Sequence, residues 1–188
     1  FLMKRIVLLL ILLVSVTASA QVVNFAKTLP VRAISVGASP VYNAGNVYFD
    51  QGMGYYIHAG YGIDYQVDIN FKYTHYPMSK DYIGVDLQYL FHESRQTYFS
   101  VISGLHRWDE IGFDLTGLYT YMVRYWINFS AGLDIDVDFN EEIDRRFWIP
   151  INVGFNAGER LFVYLEYNLP ANEQAWDMVA VGANFIIR

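Results

Sequence analysis

Apolar and polar residues alternate without a break from Tyr125 to Phe139. The odd positions read Tyr125, Ile127, Phe129, Ala131, Leu133, Ile135, Val137 and Phe139. The even positions read Trp126, Asn128, Ser130, Gly132, Asp134, Asp136 and Asp138. A period of two places these sets on opposite faces of one β-strand. A helix of the same sequence would scatter three aspartates through an apolar surface.

The pattern recurs along the chain. Ile83, Val85, Leu87, Tyr89 and Phe91 oppose Gly84, Asp86 and Gln88, and Phe113, Leu115, Tyr119 and Tyr121 oppose Asp114, Thr116 and Thr120. Phe147 to Phe155 and Leu161 to Tyr167 behave likewise, and Val179, Val181, Ala183, Phe185 and Ile187 close the series. The spacing predicts ten strands, at about 31–42, 54–63, 66–76, 82–92, 97–108, 112–122, 125–139, 147–156, 160–168 and 176–187. Connections after strands 2, 6 and 8 are very short, although the one after strand 5 is short as well. Several after the odd-numbered ones are longer, which is the asymmetry of an up-and-down barrel with turns at one end and loops at the other. Strands 1 and 5 alternate least well: Pro40 interrupts the first and Ile102 the second. An eight-stranded barrel with a merged pair is therefore the alternative.

Alternation alone also describes a soluble barrel with an apolar interior. The polar face separates the two cases. It carries Gly, Asn, Ser, Thr, Asp and a few Arg, with almost no Lys, which suits a crowded lumen better than a watery surface. The apolar face carries no charge through the central strands, as lipid demands. Aromatics make up 18% of the chain, with Tyr119, Tyr121 and Tyr125 grouped about one turn and Phe139 and Phe147 flanking one loop. Both groups fit interfacial girdles.

The first 20 residues carry an export pattern: Lys4-Arg5, the apolar run Ile6 to Val14, then Ala18-Ser19-Ala20. The expectation is a cleaved signal peptide over 1–20 and a barrel over 21–188. Without Lys4 and Arg5 the formal charge of −6 becomes −8, which disfavours nucleic acid as a partner. There is no cysteine. No disulfide holds the fold, and the anchor of a lipoprotein is excluded.

The mature region resembles the small outer-membrane β-barrel proteins of Gram-negative bacteria. The most specific local match is the last strand, where Gly182, Phe185 and Ile187 have the spacing of the signal read by the barrel-assembly machinery. The chain ends on Ile187-Arg188, where the family commonly ends on an aromatic. The resemblance implies an all-β closed antiparallel barrel in the outer membrane. Its expected partners are membrane lipid, lipopolysaccharide and the assembly machinery.

Candidate chemistry is sparse. His106 lies near Asp109 and Glu110 at the expected outer rim and could act there as a general base. No motif supplies it with a further partner or a cleft. His75 reads as a rim residue. Asp134, Asp136 and Asp138 point into the lumen, and a salt-bridge network with Arg124, Arg160 or Lys72 accounts for them better than calcium does. Glu141, Glu142, Asp144, Arg145 and Arg146 read as a solvated loop tip. The bulky luminal residues Tyr56, Trp126, Trp148 and Tyr164 argue for a plugged lumen. The sequence thus favours a non-enzymatic barrel with no catalytic, cofactor or metal site, acting through its external loops. A narrow diffusion channel comes second and a rim hydrolase third.

Overall fold

A computed structural model describes residues 25–45, 51–76, 81–108, 110–139 and 144–188. The expected leader, 1–20, lies outside them. The described residues form ten strands: β1 (Ile34–Asn43), β2 (Gly52–Gly62), β3 (Val67–His75), β4 (Tyr82–Glu93), β5 (Thr97–Arg107), β6 (Ile111–Arg124), β7 (Ile127–Asp138), β8 (Asp144–Ala157), β9 (Leu161–Pro170) and β10 (Met178–Ile187). Each pairs antiparallel with its chain neighbours, and β1 pairs with β10 to close the barrel. The ten-strand expectation holds and the eight-strand alternative does not. Closure leaves no unpaired sheet edge, which is what permits a β-structure to stand in hydrocarbon.

The alternation fixes which residues face outward. Ile57, Phe71, Leu87, Leu105, Leu133 and Ile151 stand exposed on the outside. On the outward face between the rims the described strands carry no charge. Arg107 and Arg145 point outward only at one rim. The opposite face lines the lumen and is buried, including Asp68, Lys72, Asp86, Asp114, Asp134, Asp136, Arg146 and Glu166. The barrel is thus apolar outside and polar inside, the inverse of a soluble domain.

The two irregular strands have local causes. Pro40 pairs with Tyr55 of β2, but the ladder to β10 skips from Ala38 to Val41. Pro150 produces the same gap between β7 and β8, because proline offers no N–H to a ladder. Ile102, the apparent error in strand 5, is fully buried in the lumen beside Leu90, Tyr98 and Leu118. Bulges near Leu90/His92 in β4 and Met122/Arg124 in β6 shift the register close to the turns.

Ile102 faces inward because the segment before β1 enters the barrel. Phe25 to Pro30 forms a strap across the turn end of the lumen. The Ala26 N–H donates to Thr120 Oγ1 at 3.1 Å, and Ser100 Oγ donates to the Ala26 carbonyl. Gln88 Nε2 donates to the Phe25 carbonyl at 2.8 Å, and the Leu29 N–H donates to Asp68 Oδ2 at 2.9 Å. The strap then turns at Arg32, whose φ is 64°, and the Arg32 N–H donates to the Gly62 carbonyl at 2.7 Å. A Cβ at Gly62 would lie 2.2 Å from the Pro30 carbonyl oxygen, so only glycine admits this approach.

Candidate functional site

Two regions of the lumen differ in kind. At the loop end the bore is filled by rings and ions. Trp108 follows β5, Trp148 stands in β8 and Trp176 lies in the connection before β10. The Trp176 ring packs edge-on against Trp108 and Trp148 at 5.3 and 5.6 Å between centroids. Trp148 Nε1 donates to the Trp176 carbonyl at 3.1 Å. Tyr76 stacks on Trp108 at 5.5 Å, and Tyr82 stacks on His106 at 5.2 Å. Asn172 ties the Trp176 connection to β8: its Oδ1 accepts from the Phe147 N–H and its Nδ2 donates to the Arg145 carbonyl. The plug is therefore held by strand and connection together.

Beneath the rings lies an ionic cluster. Arg146 Nη2 donates to Asp138 Oδ2 at 2.5 Å, and its Nη1 stands 3.7 Å from Asp136 Oδ1. Its guanidinium lies 4.8 Å from the centre of the Trp108 ring, a cation–π arrangement. His106 Nε2 donates to Asp138 Oδ1 at 3.0 Å and approaches Asp136 Oδ1 at 3.2 Å. Lys72 pairs with Asp86, and Tyr82 Oη donates to Asp114 Oδ2 at 3.0 Å. A Cβ at Gly104 would lie 2.3 Å from Asp86 Oδ1 and 2.6 Å from Asp114 Oδ1. The missing side chain there makes room for two carboxylates.

The expected luminal salt-bridge network exists, with two corrections. Its cations are Arg146, His106 and Lys72. Arg124 and Arg160 stand exposed at the turn end and do not reach the aspartates. Lys72 belongs to Asp86 instead of the β7 series. Arg146, expected in a solvated loop, lies in β8 with its side chain buried, because the strand starts at Asp144 and Arg146 shares the parity of Trp148 and Asn152. Glu141 and Glu142 lie outside the described residues.

The three β7 aspartates do not converge on one point. Asp134 accepts from Thr116 Oγ1 at 2.5 Å, whereas Asp136 and Asp138 turn to Arg146 and His106. Ligand atoms of His106, Asp136 and Asp138 lie within 4.8 Å of one another, a spacing that could hold a metal ion. The Arg146 guanidinium already supplies positive charge at that place.

His106 is a lumen residue and not a rim base. Its ring is buried against Tyr82, and Glu110 is exposed elsewhere; Asp109 lies outside the described residues. His75 does stand at the loop-end rim, where its Nδ1 meets Asp81 Oδ1 at 2.7 Å and Tyr73 Oη donates to Asp81 Oδ2 at 2.9 Å. These two hydrogen bonds, that from His75 the stronger, hold the Asp81 carboxyl below the usual carboxylate range. Of the bulky residues expected inside, Tyr56, Trp148 and Tyr164 are buried. Trp126 is not: it sits in the β6–β7 turn and is 45% exposed. Trp108, Trp176, Tyr76 and Tyr82 complete the plug and were missed. Each has the inward parity of its strand, at the strand's first residue or within two residues of its end, so the signal was present.

The turn end contrasts with this. Beside the strap a cavity of about 970 Å³ opens outward. Phe25 packs on Tyr98 and Phe162 at 6.0 and 5.5 Å, forming an aromatic wall. His58, Asn70 and Asn184 line the other side.

No family model matches the sequence, and the search of curated proteins gives no match. The structure is similar to the crystal structure of an outer membrane channel from Pseudomonas putida F1. The TM-score is 0.53 at 8% identity, over 89% of this chain and 99% of that one. A likeness at that identity is one of fold: a small closed antiparallel barrel. On the last strand, Gly182 packs inward against Tyr164, while Phe185 and Ile187 are exposed on the outer face.

Proposed function

We propose that this chain is a non-enzymatic barrel of the outer membrane with a closed lumen, acting by structural or binding contacts through the connections at its loop end. The observation that carries the closed lumen is the plug of Trp108, Trp148 and Trp176 over the Arg146 cluster. The uncharged apolar exterior supports residence in lipid. The barrel fold it has in common with an outer membrane channel supports the compartment. In this reading residues 1–20 direct export and are removed, and Gly182, Phe185 and Ile187 are read by the assembly machinery. The turns face the periplasm and the loops face lipopolysaccharide and the external ligand. Nucleic acid has no part in it, and the lumen serves no cofactor.

Planar bilayers test the closed lumen. The purified barrel is expected to give no steady conductance, and a stable open channel of reproducible size overturns the reading. Leu133, 64% exposed at the middle of β7, tests the exterior. Leu133→Arg is expected to destabilise the vesicle-folded barrel by about 2–4 kcal/mol, measured by urea titration. A barrel that folds and stays monomeric in plain buffer overturns the membrane reading.

One observation favours a second reading, a gated narrow channel. Trp176 stands on a connection and not on a strand, and a connection moves more readily than a ladder. In that case Trp176→Ala conducts where the parent chain does not.

A further inference from the structure

We propose that the turn-end cavity binds an anionic amphiphile: one acyl chain with a carboxylate or phosphate head. The proposal rests on the membrane reading above, since it takes the ligand from the lipid–water boundary.

Three observations point to this chemistry. The cavity, about 970 Å³, is at the upper end of the range of roughly 300–1,000 Å³ that holds small ligands. Its wall of Phe25, Tyr98, Phe162 and Met122 is apolar, as an acyl chain requires. Its mouth is cationic. Arg95 and Arg124 line it with no acidic partner among the described residues, and Lys27 lies there over the Tyr98 ring at 5.5 Å. Of the acids nearby, Glu159 pairs with Arg188 at 2.9 Å and Asp68 accepts from the Leu29 N–H and from Asn70 Nδ2, while Glu93 lies beside Lys27 at the edge of the strap. Two free guanidinium groups at the rim of an aromatic pocket match a carboxylate or phosphate head, which they can grip through paired N–H donors.

Deeper in, His58 Nδ1 and Asn184 Oδ1 are buried and have at most each other as partner. Such atoms favour a polar group or water at the inner end of the cavity. A chain of medium length that stops short of them fits better than one filling the whole lumen. Exposed Tyr65, Tyr125 and Trp126 surround the same end, so the mouth opens at the interfacial layer where amphiphiles concentrate.

The test uses the full chain folded into nanodiscs of phosphatidylcholine, without detergent, and a fluorescent dansyl-labelled undecanoic acid as probe. Saturable binding is expected, with displacement by laurate and by lyso-phosphatidylglycerol. Dodecanol and dodecyltrimethylammonium are expected to displace it poorly. Whichever anion displaces better identifies the source, a free fatty acid or a lysophospholipid. The double variant Arg95→Glu/Arg124→Glu is expected to weaken probe binding by about ten-fold or more. Its fold is checked by heat-modifiable migration, and Arg107→Glu at the opposite rim is expected to change nothing. Equal displacement by the neutral or cationic amphiphiles overturns the proposal. So does unchanged binding in the double variant, or no saturable binding by a folded barrel. A chain that never inserts into the nanodisc defeats the membrane reading instead, so the two failures are distinct.

Discussion

The two halves of the lumen solve one problem in opposite ways. Every barrel of this width must fill its bore or flood it. The loop-end half fills it with side chains from strands and connections, so that Arg146, 4% exposed, lies between tryptophan rings and aspartates. The turn-end half fills it with backbone: the strap lays Ala26 and Leu29 across the bore, bonded to Thr120 and Asp68. Rings and ions fill the bore at that end. A strap one segment wide cannot span a ten-stranded bore, and the space beside it remains as the cavity. Stability is thus concentrated at the loop end and adaptable space at the turn end.

Substitutions at the two ends should therefore differ sharply. The largest effect is expected at Arg146. Arg146→Met leaves Asp136 and Asp138 buried without the guanidinium that faces them, and removing one partner of a buried ionic cluster costs about 3–5 kcal/mol. Arg124→Met, at the open mouth, should stay within about 0.5 kcal/mol. Urea titration of the vesicle-folded barrel measures both, and equal effects would erase the distinction between the halves.

Trp176→Ala is expected next, at about 3–5 kcal/mol for a large buried ring. The loss should lie towards the lower bound, because a connection can collapse into the space. Phe25→Ala, at the edge of the cavity, should lose about 1 kcal/mol, since a half-buried ring gives up only part of its transfer energy. The same titration, with tryptophan fluorescence as a second readout, separates them. A larger loss at Phe25 would make the strap the main support of the fold.

Glycine exchange gives a smaller contrast. Gly104→Ala forces a methyl group against Asp86 and Asp114 and should cost about 1–3 kcal/mol. Gly117 has nothing within 4 Å of the position a Cβ would take, so Gly117→Ala should be neutral or slightly stabilising. Matching losses at both sites would mean that the carboxylates around Gly104 give way freely. The smallest effect belongs to Arg188→Ala. Its pair with Glu159 is 49% and 81% exposed on the two side chains, and such pairs contribute about 0.2–1 kcal/mol. Raising the salt concentration should reduce that difference further. An effect that persists at high salt would show the turn end to be tighter than its exposure indicates.

The strand pattern was legible because the outer face and the lumen impose opposite demands on alternate residues. A one-residue slip in β7 would turn Asp134, Asp136 and Asp138 onto the apolar outer face, so the sequence had little freedom to obscure its faces. The plug was partly legible. Trp148 fell within a clear strand, while Tyr76, Trp108 and Trp176 stood with inward parity at the outermost positions of the expected strands 66–76, 97–108 and 176–187. Trp126 shows the limit of that rule: the same parity continued into the β6–β7 turn leads outward, because a turn reverses the chain before a further side chain can point in. Arg146 was hidden by its neighbours, a charged run that resembles a loop until the start of β8 is known.

By itself, the sequence determined the strand faces and the absence of charge from the outer surface, and it favoured ten strands over eight. Those follow from local alternation, which needs no knowledge of what lies across the barrel. The tertiary structure decided which cations meet which aspartates. Asp136 meets Arg146 because the β7–β8 register sets them side by side, and His106 joins them from β5 over the neighbouring β6, where the missing side chain of Gly112 leaves room for its ring. It also decided that Ile102 is a luminal contact for the strap instead of an error in a strand. Both outcomes depend on the register between strands and on the path of the strap, which bring together residues that no periodicity along one strand relates.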